Sequence, residues 1–558
     1  MSVLFISLIL GIASMLSWPL AKGMIWAMYP HENVGGFRQG IESLFQLAGG
    51  RMVGKDQTWK EYALSMLLFN AVLFVVVFAI LSLQPFLPLN PDGKGGLEPS
   101  LIFNTVASFV TNTNLQHYAG EVSMSTFSQV FGLMWLQFVS AATGIAALTA
   151  MARGLAGKTR IGNFYRDLLR ATFLVLLPLA LVVAILLVLG GVPMTLQGAA
   201  SVRTLEGAVQ TIARGPVAAF VAIKQLGANG GGYFGANAAH PFENPSFLIN
   251  LVECICIIQI PMACVWLFGR IMGRMRHAAV VFAVMALLLV TKVGLAVYFE
   301  NAPTAAFANQ PIQSVGNLEG KELRFGADAC AVWAVVTTAT SNGSVNCMHD
   351  SLNPLTGLMP MVGMWLNMTF GGVGVGLINL FIYIIVGVFI CGMMVGRTPE
   401  YLGRKVETRE MKLALLALLV HPLFILGGTA LFASTPWGAA TVHNPGAHGF
   451  SEILYEFSSA AANNGSGFEG LGDNTVPWNV ATGIVMLLAR FIPILLPLAI
   501  AGSLAAKKPT PETVGTLRTD TPLFGWVILG SVTLIGALLF LPVAVLGPIA
   551  EHLAVAEK

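Results

Sequence analysis

Hydrophobic positions along the chain form long runs separated by short polar stretches. A helix of about 20 residues crosses a membrane core of roughly 30 Å, and ten runs are long and apolar enough to do so. The first run has no basic start and no convincing small-residue cleavage site, so we predict a transmembrane helix there rather than a signal peptide. The runs lie near residues 3–29, 62–83, 126–150, 171–192, 247–270, 278–299, 359–395, 413–433, 479–503 and 523–547.

Four short segments recur between these runs: SFVTNTNLQ (108–116), LGANGGGYF (226–234), TATSNGSVN (338–346) and SAAANNGSGF (459–468). Aligned on Asn114, Asn229, Asn342 and Asn464, they are 115, 113 and 122 residues apart. Each ends a helix-compatible stretch that is too short to span a membrane. Tandem repeats arranged around one axis leave such a period, so the pattern predicts a pseudo-fourfold pore in a single chain.

Each repeat is predicted to contain a helix, a re-entrant half-helix with an extended loop, and a second helix, because non-helical backbone at membrane depth must line water or be buried in protein. The fold class is therefore an all-α polytopic membrane protein with about ten transmembrane helices, four fused helix–pore-helix–helix repeats and one extra helix at each end. An acid is predicted near each half-helix start, where negative charge is favourable: Glu98, Glu206, Glu322 and Glu452. The predicted divisions are 1–60 (first helix and cytoplasmic loop), 61–150, 171–270, 277–396 and 411–505 (repeats 1 to 4), and 523–558 (last helix and C-terminus).

Composition and charge agree with a membrane location. Hydrophobic residues make up 55% of the chain and charged residues 10%, against about 25% charged residues in soluble globular proteins. The net charge of +3 is small and indicates no nucleic-acid partner. Of the 30 basic residues, 20 cluster in the odd-numbered connections, which the positive-inside rule assigns to the cytoplasm. Both termini and all four recurring segments are then predicted to face outward.

The recurring segments are rich in Gly and Asn and contain no ring of carboxylates. Gly permits the unusual backbone that lets carbonyl oxygens converge on one ion, and half-helices with their C-terminal ends at the pore centre favour a cation. A Ca²⁺ or Mg²⁺ site would recruit Asp or Glu. These features favour K⁺, although composition alone does not separate it from Na⁺.

No energy source is visible in the chain. It lacks an Asp-Lys-Thr-Gly-Thr phosphorylation motif, and Gly157-Lys158-Thr159 is only a near miss to a phosphate-binding loop. We therefore predict that the protein is not an enzyme on its own. Of the six cysteines, Cys330 and Cys347 lie near the predicted outer face, and the sequence leaves open whether they pair.

Three longer motifs accompany the four segments: GGYFGANAAHPFENP (231–245), MHDSLNPLTG (348–357) and VGRTPEYLGRKVE (395–407). Together they resemble the potassium-binding A subunit of Kdp potassium-transporting ATPase complexes, over essentially the whole chain. The resemblance implies a potassium-channel-like fold in the bacterial cytoplasmic (inner) membrane. It also implies that the subunit selects K⁺ at its outer face and passes it sideways to a P-type ATPase subunit, which uses the ATP. Further implied partners are a small C-type subunit, a one-helix F-type peptide and membrane lipid, with no covalent cofactor.

Carried over by the resemblance, the potassium filter comprises four sets of residues, with Gln116 just after the first. Leu115 stands where the other three segments have Gly, so we expect a departure from strict fourfold symmetry. Some relatives carry Cys in the third loop, where this chain has Ser341 and Asn342. The implied filter residues are Asn112, Thr113 and Asn114; Asn229, Gly230, Gly231 and Gly232; Ser341, Asn342 and Gly343; and Asn464, Gly465, Ser466 and Gly467.

Two further features are candidates for control of the ion path. The seventh run is too long for one span and contains Gly371, Gly372, Gly374 and Gly376, which favour a helix break that acts as a gate below the filter; the alternative is close helix packing through small residues. Arg490 lies midway along the ninth run, where it either repels K⁺ below the filter or pairs with an acid or with half-helix ends.

For Lys292 and Glu253, which also lie in membrane runs, we predict snorkelling or local pairing.

Two other functions remain open at this point. A stand-alone potassium channel or Trk/Ktr/HKT-like transporter shares the fourfold repeat, but the extra terminal helices, the longer motifs and Arg490 argue against it. A membrane enzyme has only Arg490 and Glu253 in its favour and no catalytic motif.

Overall fold

The computed structural model describes residues 2–29, 36–302, 316–510 and 517–556. Part of the predicted third repeat, residues 303–315, lies outside the described residues. So do residue 1 and residues 557–558. By length and composition, ten helices in the described part of the chain can cross a membrane. They are Leu4–Met28, Trp59–Ser82, Ser128–Leu155, Phe164–Leu189, Phe247–Met272, Met275–Asn301, Val375–Met394, Thr408–Ala433, Val476–Ala505 and Pro522–Val555.

The α-helices follow one another along the chain with two small hairpins between them. Strand β1 (Ala200–Arg203) pairs antiparallel with β2 (Val209–Ile212), and β3 (Glu400–Tyr401) pairs antiparallel with β4 (Arg404–Lys405). π-Helical turns at Ser128–Met134, Ala171–Leu176 and Val545–Ile549 extend three of the spans. The α-helices are α1 (Ser2–Met28), α2 (Gly36–Gly49), α3 (Arg51–Gly54), α4 (Trp59–Ser82), α5 (Pro99–Val110), α6 (Gly120–Ser123), α7 (Trp135–Leu155), α8 (Phe164–Arg170), α9 (Leu177–Leu189), α10 (Val217–Leu226), α11 (Phe247–Met272), α12 (Met275–Asn301), α13 (Gly326–Ala339), α14 (Pro354–Leu366), α15 (Val375–Met394), α16 (Thr408–Ala433), α17 (Pro436–Ala439), α18 (Ala447–Ala462), α19 (Val476–Ala505), α20 (Pro522–Ala544) and α21 (Ala550–Ala556).

A short buried helix stands between two long ones four times in this order. The four half-helices are α5, α10, α13 and α18, and the helices that follow them are α7, α11, the α14–α15 pair and α19. The four half-helices are almost completely buried, whereas the flanking spans expose apolar side chains such as Leu68, Leu181 and Leu423. The side of the molecule on which the half-helices begin is called the outer side below.

Helices α1 and α20 lie outside the four units. Helix α1 packs along α11, and the Trp266 indole donates to Ser17 Oγ at 3.1 Å. At the C-terminal end of α1, the Met28 carbonyl accepts a hydrogen bond from Arg153 at 2.7 Å, and the same guanidinium forms an ion pair with Asp167. Helix α20 packs on α12 and α15. Both terminal helices therefore pack against helices of the four units, in agreement with the predicted extra helix at each end.

Only one of the predicted helix-starting acids caps its half-helix. Glu98 accepts a hydrogen bond from Leu101 N at 3.0 Å and is the N-cap of α5. Glu322 lies four residues before α13 and accepts from Gly326 N through its carbonyl. The prediction is wrong for Glu206, which lies in the turn between β1 and β2, and for Glu452, which lies within α18 because that helix begins earlier, after Gly446.

The seventh predicted run is interrupted, as its glycines indicate. Helix α14 ends at Leu366, α15 begins at Val375, and residues 367–374, called the break below, are not helical. Backbone φ is positive at Asn367, Phe370, Gly371 and Gly374. The break therefore begins before the glycine-rich motif, since a left-handed Asn367 already ends α14.

Cys330 and Cys347 form a disulfide that joins the first turns of α13 to the chain that follows it. Both residues are buried. The bond brackets the segment 338–346, so it restricts the third recurring segment directly.

Replacing both cysteines by serine should lower the thermal stability of the protein, because a cross-link of this loop size restricts the unfolded chain and contributes about 2–4 kcal/mol. We expect a lower midpoint of thermal unfolding for the Cys330→Ser/Cys347→Ser variant in detergent. The control is Cys391→Ser, which removes a free and partly buried thiol. Equal midpoints for the double variant and the control would contradict the prediction.

Candidate cation filter

The four recurring segments share one backbone conformation. We number them loop 1 (112–116), loop 2 (228–232), loop 3 (341–345) and loop 4 (463–467). In each, the first and third residues have positive φ, between 47° and 107°, whereas the residue between them does not. The positive-φ pairs are Asn112 and Asn114, Ala228 and Gly230, Ser341 and Gly343, and Asn463 and Gly465.

This pattern corrects the sequence alignment of loop 1. Thr113 N and Asn114 N both bond to Ser108 O, just as Asn229 N and Gly230 N both bond to Lys224 O. Thr113 is therefore the equivalent of Asn229, and Asn114 occupies the glycine position. The alignment on Asn114 is wrong by one residue, because Asn is the side chain that best tolerates the left-handed region. Leu115 does not stand in place of the left-handed glycine; its equivalents are Gly231, Ser344 and Ser466.

The glycines at the third position let neighbouring loops touch. A Cβ on Gly230 would lie 1.9 Å from the Asn342 carbonyl oxygen, one on Gly343 would lie 2.1 Å from Asn464 O, and one on Gly465 would lie 2.1 Å from Thr113 O. Each glycine thus meets the carbonyl of the next loop, in the order 2, 3, 4, 1. These three contacts join loops 2, 3, 4 and 1 through their backbones, and hydrogen bonds between loops 1 and 2 complete the ring.

Asparagine side chains fasten the loops to one another. Asn342 Nδ2 donates to Lys224 O at 3.1 Å, and Asn464 Nδ2 donates to Thr337 O at 3.0 Å, so each reaches the end of the preceding half-helix. Asn463 Nδ2 donates to Thr113 Oγ1 at 2.9 Å, and Asn229 Nδ2 donates to Asn112 Oδ1 at 2.5 Å. The amide NH₂ groups of these four asparagines therefore position the loops relative to one another.

Loop 2 is held from behind by a buried ion pair. Lys224 and Glu243 are fully buried and bonded to each other, and Lys224 also donates to Asn237 Oδ1 at 2.6 Å. Asn237 Nδ2 in turn donates to Gly230 O at 2.7 Å. Glu243 comes from the motif at 231–245, and its second oxygen accepts from Phe234 N at 2.9 Å. The motif therefore folds back over α10 and fixes the Gly230 carbonyl of loop 2.

Gln116 joins loops 1 and 2. Its Oε1 accepts from Gly232 N at 2.7 Å, and its Nε2 donates to Gly232 O at 3.0 Å. The side chain therefore satisfies both backbone groups of Gly232, where an added Cβ would lie 2.6 Å from Phe234 O.

Loops 3 and 4 have different supports. The Trp333 indole donates to Ser344 O at 2.8 Å beside the disulfide. Behind loop 4, Tyr455 OH lies 2.8 Å from Ser466 Oγ and 3.0 Å from His349 Nδ1. The ring is thus pseudo-symmetric in its backbone but not in the side chains that hold it.

The break lies against the inner end of the ring. Gly371 N donates to Ala339 O at 2.9 Å, and Asn367 Oδ1 accepts from Ser341 Oγ at 2.9 Å. On the opposite side, Cβ atoms on Gly374 and Gly144 would each lie 2.2 Å from a carbonyl of the other segment. The break therefore crosses from the third repeat to helix α7 of the first. Gly371, Gly372 and Gly374 lie in it, whereas Gly376 lies in the first turn of α15.

Arg490 lies beside the break on α19. It is 4% exposed, and its Nη1 would lie 3.6 Å from a Cβ on Gly372. Nη2 has no hydrogen-bond partner, and no carboxylate in the described part of the chain forms an ion pair with it. Pairing with an acid, one of the alternatives left open by the sequence, is therefore not what the structure has.

Lys292 and Glu253, for which the sequence predicts snorkelling or local pairing, both form local hydrogen bonds. Lys292 Nζ donates to Thr369 Oγ1 in the break at 3.1 Å. Glu253 Oε2 accepts from Gln225 Nε2 on α10 at 2.7 Å.

A buried charged cluster flanks the outer end of the ring. His117, next to Gln116, has Nδ1 2.7 Å from Asn479 Oδ1 and Nε2 3.2 Å from Glu456 Oε1. Burial by itself lowers the pKa of His117, but Asp473 and Glu456 outweigh it and raise that pKa from 6.5 to about 9. Both ring nitrogens face acceptors, so the imidazolium form fits the site.

Sequence reasoning missed the supporting residues described above and also four residues that belong to the ring or contact it. Ala228 and Asn463 occupy the first positive-φ position of their loops, and a lone Ala or a second Asn gives little signal of this role. Gln137 and Ser140 on α7 contact loop 1, at 3.2 Å from Asn114 Oδ1 and 2.8 Å from Asn112 Oδ1. Their polarity within an apolar helix was the available signal.

Comparisons with known proteins give a family match, a similar relative and a structural neighbour. A sequence model of the family described as Potassium-transporting ATPase A subunit (KdpA) matches residues 7–553. The chain is 48% identical over 541 residues to a protein of Geobacillus kaustophilus (strain HTA426) named Potassium-transporting ATPase potassium-binding subunit, with 96% of each chain covered. Among solved structures, the potassium transporter TrkH from Vibrio parahaemolyticus aligns over 87% of this chain and 95% of its own, with a TM-score of 0.53 and 13% identity. That last similarity concerns the fold alone.

The charged cluster at His117 should make stability depend on pH. Because the pKa of His117 is raised from 6.5 to about 9 in the folded state, its contribution is fully present below pH 6.5 and is lost as pH rises through about 9. We expect the thermal midpoint of the protein to fall over that window and to fall less in His117→Gln. The exposed His552→Gln is the control; identical pH profiles in all three proteins would contradict the assignment.

Proposed function

This chain belongs to the family of potassium-transporting ATPase A subunits, and on that premise we propose that it is the potassium-binding and translocating subunit of an ATP-driven potassium import complex. The observation that carries the proposal is the closed ring of four loops, in which three glycines each meet the carbonyl of the next loop. A ring of neutral carbonyl oxygens suits a large monovalent cation, because it replaces the hydration shell without the strong field of carboxylates.

The potassium filter in this proposal consists of the four loops. Their amide side chains hold the ring, and their backbone oxygens coordinate K⁺. The half-helix ends at Val110, Leu226, Ala339 and Ala462 add partial negative charge at the inner end of the ring. Gln116 acts indirectly, through its two bonds to Gly232.

Below the filter, the break and Arg490 oppose straight passage. The break spans from loop 3 to α7, and an unpaired guanidinium beside it repels a cation. An ion that has passed the filter is then directed sideways within the membrane. Its receiver is a P-type ATPase subunit, which hydrolyses the ATP; this chain contributes no hydrolysis.

A small C-type subunit, a one-helix F-type peptide and membrane lipid complete the proposed assembly. The proposed location is the bacterial cytoplasmic (inner) membrane. The basic loops face the cytoplasm and both termini face outward, because 20 of the 30 basic residues lie in those loops. The stand-alone Trk-like transporter is not favoured, since the family match extends over residues 7–553 and includes the two extra helices.

Gly343→Ala should weaken K⁺ binding by at least about tenfold, or ~1.4 kcal/mol. Its Cβ would lie 2.1 Å from Asn464 O at a residue with φ of 91°, so the ring must open. The measurement is K⁺-stimulated ATP hydrolysis by the co-purified complex, titrated against Na⁺. Gly294→Ala is the matched control, because no atom lies within 4 Å of its added Cβ. Unchanged K⁺ affinity and selectivity in Gly343→Ala would refute the filter assignment.

Arg490→Gln should allow K⁺ to leak through the chain, because it removes the charge beside the break while keeping a polar side chain of similar length. We expect faster passive K⁺ flux in proteoliposomes that hold the complex without ATP, and fewer ions transported per ATP. Arg203→Gln, at an exposed position in β1, is the control. If flux in the Arg490 variant equals that of the control, Arg490 is not a barrier.

A further inference from the structure

A second cluster of potential ligand atoms lies on the outer side, away from the filter. It combines Asp350, in the loop before α14, with His448 and Glu452, which are one turn apart on α18. One ligand atom from each residue lies within 4.8 Å of the others. We propose that these three side chains form a binding site for a divalent transition-metal ion, with Zn²⁺ as the preferred ion.

The histidine is already oriented for coordination. His448 Nδ1 lies 2.7 Å from Glu551 Oε1 on α21, and Nε2 lies 2.9 Å from Asp350 Oδ1. A carboxylate on the far nitrogen of a metal-ligating histidine fixes the ring and its tautomer. Glu551 thus accepts Nδ1–H. Without an ion both ring nitrogens face carboxylates, so a bound ion would replace the proton that Nε2 shares with Asp350.

The acid at the base of the cluster has an unused oxygen. Glu452 is fully buried. Its Oε1 accepts from Asn444 Nδ2 at 2.7 Å, but its Oε2 has no hydrogen-bond partner. A buried carboxylate oxygen without a partner carries a large desolvation cost, which a bound cation would offset.

Gly470 lies close against the two carboxylates. A Cβ on Gly470 would lie 2.5 Å from Glu452 Oε1, 2.7 Å from Asp350 Oδ2 and 2.9 Å from Asn444 Nδ2. The Asn444 amide donates to both carboxylates, so an ion bound between them would take the place of this amide. His448 is 19% exposed through its side chain, which opens the cluster to solvent.

The donor set selects the class of ion. One imidazole nitrogen and two carboxylates match a tetrahedral Zn²⁺ site with water as the fourth ligand, in which ligand atoms lie about 3 to 4 Å apart. Ca²⁺ and Mg²⁺ prefer oxygen ligands alone. A bound ion would connect α18 to the loop after filter loop 3, and through Glu551 to α21.

The test is calorimetric titration of the purified complex with ZnCl₂ after treatment with chelator, and parallel titrations with CaCl₂ and MgCl₂. We expect one Zn²⁺ per chain, with affinity at least about tenfold weaker in His448→Ala and Asp350→Asn, and about 10- to 100-fold weaker in Glu551→Gln. His443→Ala is the matched control, since its exposed ring belongs to the same outer segment but not to the cluster.

Several results would overturn the site. They are absence of Zn²⁺ binding, unchanged binding in His448→Ala and Asp350→Asn, equal loss in His443→Ala, and preference for Ca²⁺ or Mg²⁺. If a variant fails to fold, X-ray absorption of the zinc-loaded wild-type complex decides instead. One imidazole with oxygen ligands supports the site, and a shell without imidazole, or with sulfur, refutes it.

Discussion

The structure depends on contacts between the backbone of one filter loop and the glycine of another. At Gly230, Gly343 and Gly465 a carbonyl oxygen occupies the space that a side chain would fill, and each glycine has a φ that other residues adopt only with strain. Both conditions hold at once, so the loops can form a ring only with this backbone. The side chains behind loops 2, 3 and 4 hold the segments that make these contacts.

The side chains that support the ring are buried, and the ion pair among them carries a desolvation cost. Lys224 and Glu243 are buried, and such a pair is stable only when its remaining donors and acceptors are satisfied. Asn237 and Phe234 N provide those partners. Loop 3 is held by a disulfide and Trp333, and loop 4 by Tyr455. Loops 2, 3 and 4 share one backbone conformation but are held by three unrelated sets of side chains, which gives a single chain the freedom to differentiate its repeats.

The predictions from the sequence succeeded for features that local patterns determine and failed where single repeats differ. The spans, the repeated half-helices and the interrupted seventh run followed from hydrophobic length and glycine content, which are local properties. The register of loop 1 did not, because Asn114 performs the role of glycine through its tolerance of left-handed backbone. Glu206 and Glu452 were misplaced because helix starts depend on how the outer connections fold. Ala228 was missed because nothing in its identity reveals a positive φ.

The sequence by itself determined a polytopic helical protein with four repeated half-helices and a cation-favouring set of loops, since the membrane requires long apolar spans and an ion ring requires residues that permit unusual backbone. Only the tertiary structure decided which residues are equivalent between loops, that the break reaches across to Gly144, and that Arg490 has no acidic partner among the described residues. The equivalence of the loop residues is a matter of backbone conformation, which the residue types alone do not reveal. The other two features involve segments far apart in the chain, and no local pattern encodes them.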